Sequence, residues 1–286
     1  MDDLSKFSLE YAAPADDLKE LVSSFYHFRA DVEETRQTER ADRAQFRFLL
    51  SGSGGYEFHD GSYHESSLIS IIGPTTGPTI GHIKGPLEIF GAGLQPAGWG
   101  TLMGTEGHKH SDSLIDAIAV FGEGLLQVRD ALIAAPTMAA KVEIANEFAR
   151  GLLSRADSAP FWFTRTVDKW LLSDASPKLE DLIAETGLSK RQVERMTKRF
   201  YGATPKLLAR KHRALRAASA LVRNDPEGAD TAAEGFYDQS HLIRELKQFT
   251  GFTPGKMRAS PPELNRRVAE GRKGLSGQVD PLVSDS

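Results

Sequence analysis

The side chains best equipped for chemistry lie in a basic run late in the chain, Lys190–Arg199, KRQVERMTKR. Ammonium, guanidinium and amide groups at that density suit contact with a polyanion. A second polar set, Gln239, Ser240, His241 and Arg244, lies within GFYDQSHLIRELKQFTGFTPGKMR, Gly235 to Arg258. Two further groupings invite catalytic readings. His108 and His110 form HKH, with His59, His64 and His82 upstream, and imidazoles are common metal ligands. SGSGG at 51–55 has a superficial likeness to a nucleophile elbow or a phosphate loop.

Neither catalytic grouping is complete. A metal-binding HxH on strands is followed closely by Glu, whereas HKH here leads into SDSLIDAIAVF, which reads as a helix start capped by Ser111 or Ser113, and Glu123 is the next glutamate. SGSGG lacks both GxSxG spacing and a GK[ST] ending, and it sits between strand-like segments, so a hairpin turn is expected. The chain has no cysteine, which removes disulfides, thiolate metal sites and cysteine nucleophiles together. No catalytic residue, metal or cofactor is expected, and the chain reads as a non-enzyme.

The elements that must position the basic run come next. At 286 residues the chain suits two domains, and 40% hydrophobic with 26% charged residues is a globular composition. The net charge of −4 is unevenly spread. Residues 160–273 carry 22 Lys and Arg against 14 Asp and Glu, and the remainder carries 13 against 25. No apolar run is long enough to span a bilayer, and the acidic opening MDDLSKFSLEYAAPADD lacks the basic and apolar regions of a secretory signal. A cytoplasmic protein with no membrane partner is expected.

The first part reads as strand-rich. Gln45–Leu50, Gly55–His59, Ser67–Ile72 and Leu87–Leu94 are short, rich in aromatic or β-branched residues, and separated by Gly, Pro, Ser and Asp clusters. This spacing implies an antiparallel barrel or sandwich, preceded by an amphipathic helix near Asp17–Tyr26. From Trp99 the pattern turns helical, with Leu114, Ile115, Ile118 and Phe121 at helical spacing and a longer helix over Thr137–Leu153. SRADSAP, ending at Pro160, has linker composition, and the tail from about Ala269 has little to bury and reads as disordered.

Between linker and tail the chain alternates helix and turn. In Leu179–Phe200, a helix carrying Leu179, Leu182 and Ile183 ends at Gly187, which can take the left-handed conformation that closes a helix. Ser189 stands where an N-cap oxygen is needed. The next helix turns Val193, Met196 and Phe200 inward and Lys190, Arg191, Gln192, Glu194, Arg195, Lys198 and Arg199 outward. After a long helix, Pro205–Arg223, the outline recurs: Gly235 closes a turn, Asp238 caps, Leu242, Leu246 and Phe249 pack inward, and Gln239, Ser240, His241 and Arg244 face outward. The codas YGATP (201–205) and TGFTP (250–254) repeat as well.

Over Leu179–Arg258 these paired units resemble the AraC/XylS family of transcription regulators, above all at GFYDQSHLIRELKQFTGFTPGKMR and at RALRA, 213–217. The resemblance implies two helix-turn-helix subdomains joined by one long helix, inserting into neighbouring major-groove segments of double-stranded promoter or operator DNA. Carried over, the base-reading positions are Arg191, Gln192, Glu194 and Arg195 in the first unit and Gln239, Ser240, His241 and Arg244 in the second. Arginine can fork onto guanine, glutamine can pair with adenine, and glutamate can accept from cytosine. Ser189 at a helix N-terminus, with Lys190, Lys198, Arg199 and Lys247, is better placed for phosphates. One departure stands out. Where the first unit has the apolar anchor Leu182, the second has Asp230, so its opening helix is one residue short or packs on Ala232 and Ala233.

The same resemblance implies a cupin-like sensor or dimerisation domain before the reader. The expected fold is therefore α+β, with an antiparallel β barrel or sandwich and flanking helices over 1–157, an all-α DNA-binding domain over 160–262, and a disordered tail over 269–286. The expected function is sequence-specific transcription regulation controlled by a small-molecule effector or by homodimer formation. RNA polymerase is a further partner if the chain activates, and a bacterial cytoplasmic setting, at the nucleoid when DNA is bound, follows. The alternatives are a cupin-type metal-dependent enzyme and a partner-binding protein with a degenerate helix-turn-helix domain.

Overall fold

The fold was obtained as a computed structural model, which describes residues 6–153, 161–228 and 234–285. Eight strands form one antiparallel sheet: β1 (Phe7–Ala12), β2 (Val22–Ala30), β3 (Glu34–Glu39), β4 (Gln45–Glu57), β5 (Tyr63–Glu65), β6 (Ile69–Ile72), β7 (Thr79–Leu94) and β8 (Leu114–Asp116). The order is β1-β2-β7-β4-β6-β8, with β3 added on β7 and β5 on β4. The two longest strands hold the sheet together. Leu87–Leu94 of β7 pairs with β2 while Thr79–Lys84 pairs with β3, and β4 runs alongside both halves.

Four helices follow: α1 (Pro96–Met103), α2 (Ala117–Phe121), α3 (Gly124–Ala134) and α4 (Met138–Leu153), with a 3-10 turn at Gly104–His110. They cover one face of the sheet over a core that includes Phe25, Phe46, Phe48, Phe90, Trp99 and Leu132. The ring of Phe148 on α4 meets Phe46 and Phe48 edge-on, each at 5.6 Å. Each fully buried side chain of this core contributes about 1.5–3 kcal/mol.

The first helix-turn-helix subdomain comprises α5 (Phe161–Ser173), α6 (Leu179–Thr186) and α7 (Lys190–Tyr201) around Phe163, Val167, Trp170, Leu182, Val193 and Phe200. Helix α8 (Pro205–Val222) links it to the second, which holds α9 (Gln239–Thr250) and α10 (Pro254–Ala259) and packs Leu246, Phe249 and Met257 on Leu215 and Leu221 of α8. The chain closes with α11 (Glu263–Lys273) and α12 (Pro281–Ser284).

Four expectations are corrected. Asp17–Tyr26 is not a helix: one 3-10 turn at Asp16–Leu18 leads into β2. Seven of the nine β2 residues, Val22–Phe28, are buried in succession, so both faces are covered and the alternation that marks a strand is absent. SGSGG is not a hairpin turn but the bulged middle of β4, whose pairing with β7 slips between Leu49 and Ser51 and again between Ser51 and Ser53. Gly52 has φ +79°, and a Cβ there would come within 2.8 Å of the Leu87 Cα, so only glycine fits. Neither Ser111 nor Ser113 starts a helix: Leu114–Asp116 is strand β8, and Asp116 caps α2 by accepting from the Ile118 amide at 2.9 Å.

The tail is the fourth. From Ala269 it continues α11 to Lys273 and ends in α12, with Leu282 and Val283 only 2% and 1% exposed. Ala269 and Leu282 find partners outside the tail, which a local composition cannot reveal. The linker SRADSAP and the anchor residues Asp230, Ala232 and Ala233 lie outside the described residues.

Candidate nucleic-acid interface

The first reader helix is built by local signals. Gly187 takes the left-handed conformation, φ 65° and ψ 11°, and turns the chain after α6. Ser189 and Gln192 then form a reciprocal capping box: the Gln192 amide donates to Ser189 Oγ at 3.4 Å, and Gln192 Oε1 accepts from the Ser189 amide at 2.9 Å. Val193 and Phe200 are buried and Met196 is half-buried. Ser189, Lys190, Arg191, Gln192, Arg195 and Lys198 are exposed and Glu194 is half-buried, so these sequence-derived positions share one polar face.

Two of them have competing duties. Gln192 is engaged in its own helix cap. Arg199 is half-buried, donates from Nε to the Gly104 carbonyl at 3.0 Å, and stacks its guanidinium 4.9 Å from the Phe200 ring centre. That bond ties the reader helix to the sheet domain. Ser111 Oγ donates to the Gly202 carbonyl at 3.0 Å beside it, and a Cβ at Gly100 would strike the Phe200 ring.

The second reader helix begins at Asp238, whose carboxylate accepts from the His241 amide at 2.7 Å. Leu246 and Phe249 are buried, Leu242 is half-buried, and Gln239, Ser240, Arg244 and Lys247 are exposed. His241 is held differently. Its Nδ1 accepts from the Tyr237 amide at 3.2 Å, its ring meets Phe236 edge-on at 5.6 Å, and Nε2 lies 3.8 Å from Glu245. Glu245 is itself 3% exposed and binds Arg210 at 2.7 Å and Arg213 at 3.5 Å, both on α8, which fixes the second helix on the linker helix.

Sequence reasoning missed Tyr237, 94% exposed and one residue ahead of the cap. A bulky aromatic beside two turn residues was the available signal. It also missed a cavity in the sheet domain lined by Tyr11, Tyr26, Phe28, Arg47, Tyr56 and, from α11, Arg272. Arg47 is buried there, donating to Glu39 at 2.9 Å and lying 4.9 Å over the Tyr56 ring. No sequence motif marks these residues, because they come from strands far apart in the chain.

The histidines do not converge. His82 lies 3.3 Å from Glu57, His59 contacts Thr76 and Asp112, His64 meets Phe58, and His108 and His110 end the 3-10 turn. Among the described residues no three His, Cys, Asp or Glu are grouped as metal ligands, and no helix is long and apolar enough to cross a membrane.

Residues 182–260, the span that holds both capped helices and the helix joining them, match the family described as a helix-turn-helix domain. No curated protein matches the chain. Similar solved structures include ToxT from Vibrio cholerae with unsaturated fatty acid bound, at 10% identity over 87% of this chain and 94% of that one, TM-score 0.47. A second structure of ToxT from Vibrio cholerae is similar at 11% identity over 90% and 99%, TM-score 0.45. The AraC-like transcriptional activator CuxR is similar at 12% identity over 77% and 88%, TM-score 0.36.

Proposed function

We propose that this chain, with its AraC-type helix-turn-helix domain, is a sequence-specific transcription regulator whose sheet domain controls DNA binding. The observation that carries the reading is the duplicated reader: two capped helices with one apolar and one polar, basic face, joined by one helix. Arg191, Glu194 and Arg195 read bases in the first segment, and Gln239, Ser240 and Arg244 in the second. Lys190, Lys198 and Lys247, with the helix N-terminus at Ser189, meet phosphates. Gln192 and His241 act first in holding their helices, and Arg199 in docking α7.

The sheet cavity is the candidate effector site, since its wall includes residues of both the sheet and α11. Pairing of two copies through the sheet domain is the other mode of control. An activating chain would also touch RNA polymerase. The setting this reading requires is a bacterial cytoplasm, beside the chromosome.

Selection of bound duplexes from random DNA tests the reading. One motif spanning two successive major-groove segments is expected, with affinity falling steeply as salt rises. Absence of any enriched motif at near-physiological salt overturns it in favour of a partner-binding protein.

A further inference from the structure

The helix-turn-helix match ends at residue 260, yet the chain continues through three other parts of the molecule. Leu264, Asn265, Val268 and Arg272 of α11 form one wall of the sheet cavity. Asn265 Nδ2 donates to the Thr38 carbonyl at 3.0 Å, Arg272 grips both carboxylate oxygens of Asp42, and a Cβ at Gly271 would strike the Tyr11 ring. Ala269, on the same helix, is buried in the core of the second reader with Leu246 and Phe249. Further on, Leu282 is buried in the core of the first subdomain with Phe163, Leu171 and Tyr201.

The loop that Arg272 holds reaches the second reader as well. The Ala41 amide donates to the Phe249 carbonyl at 2.7 Å, and the Asp42 carbonyl accepts from Lys211 of α8 at 2.6 Å. One ion pair therefore lies in the cavity wall and holds the same loop that contacts α8 and α9. Among the described residues, Arg272 Nε and Asn265 Oδ1, both on α11, are buried with no hydrogen-bond partner from the chain. Both residues line the cavity, so opening the wall would expose these atoms to water.

We propose that Glu263–Asp285 is a strap that opens to admit a small molecule to the sheet cavity and closes to set the second reader helix. The proposal rests on the reading of the sheet domain as the controlling part. Its consequence is that ligand entry and the seating of α9 share one latch, Arg272–Asp42, and neither can change alone.

Two measurements on the full chain test this: hydrogen exchange of the free protein, and the rate at which 1-anilinonaphthalene-8-sulfonate fluorescence rises on mixing. Arg272→Ala is expected to speed amide exchange about tenfold at Ala41 and along Glu245–Thr250, and to speed dye entry by a similar factor. Arg272→Lys, which keeps charge but loses the fork, should fall between. Leu282→Ala loosens the far end without touching Asp42 and should act in the same direction, which keeps the test open if Arg272→Ala does not fold. Faster exchange confined to residues 263–285 with unchanged dye entry overturns the strap. Neither measurement uses DNA, so failure to select a motif would sink the regulator reading while leaving these results to stand.

Discussion

The hydroxyl of Tyr201 donates to Oδ1 of Asp168 at 2.9 Å, joining the last residue of the first reader helix to α5. Burial raises the Asp168 carboxyl to about 6, against the pull of Arg43 and with a push from Asp280. Below its ordinary 3.8 the carboxyl is neutral in both folded and unfolded chains. As pH rises towards 6 the unfolded chain ionises first, so stability is lost over that window and stays lower above it. The shift amounts to roughly 3 kcal/mol at most. Asp168→Asn keeps an acceptor for Tyr201 and removes the charge. It should be more stable than the wild type at pH 7 and lose that advantage by pH 4, as read by urea unfolding at each pH. Parallel curves at all pH values would refute this.

Gln192 separates a structural from a recognition role. Because it completes the cap with Ser189, Gln192→Ala should lower stability by about 0.5–1 kcal/mol and leave the selected DNA motif unchanged. Ser189→Ala should cost about 1 kcal/mol. Thermal unfolding together with motif selection checks both, and a changed base preference would make Gln192 a reader after all.

Arg191→Ala and Arg244→Ala are each expected to lose about 1–3 kcal/mol of binding and to relax the motif at one position. Lys190→Ala should weaken all sequences alike and reduce the salt slope by about one. Fluorescence anisotropy over a salt series distinguishes the two patterns. Equal loss on every duplex for Arg191→Ala would remove it from the base-reading set.

Glu245 is the buried carboxylate between Arg210 and Arg213. Glu245→Ala leaves Arg213, itself buried, without this partner and should cost about 3–5 kcal/mol. Glu245→Gln should cost less, since it retains an acceptor. Denaturant midpoints measure the difference, and a near-neutral Glu245→Ala would mean the arginines reach water.

What could be read in the chain was local. Gly187, Ser189 and the Val193–Phe200 stripe specify a turn, a cap and an amphipathic helix within one short window, and all three stand as expected. Asp238 and the Leu246–Phe249 stripe do the same for α9. Strand β2 escaped because burial on both faces removes its period, and SGSGG because a bulge and a turn use the same residues. The tail escaped because Leu282 packs in the first subdomain's core and Arg272 pairs with Asp42, contacts between residues far apart in the chain. The outward face of α7 was legible as a face, but not the division of labour on it. Whether Gln192 caps or reads, and whether Arg199 meets phosphate or Gly104, depends on neighbours that periodicity does not encode.

The packing of Leu282, Val283 and Ser284 bears on how the protein can be handled. Anything inserted directly after α12 begins within a few residues of Leu282, in the first subdomain's core. An affinity tag or fluorescent reporter placed there would tug on α12 and disturb the very DNA binding it was added to measure. A fusion that follows α12 and leaves activity intact will have needed a long, flexible spacer.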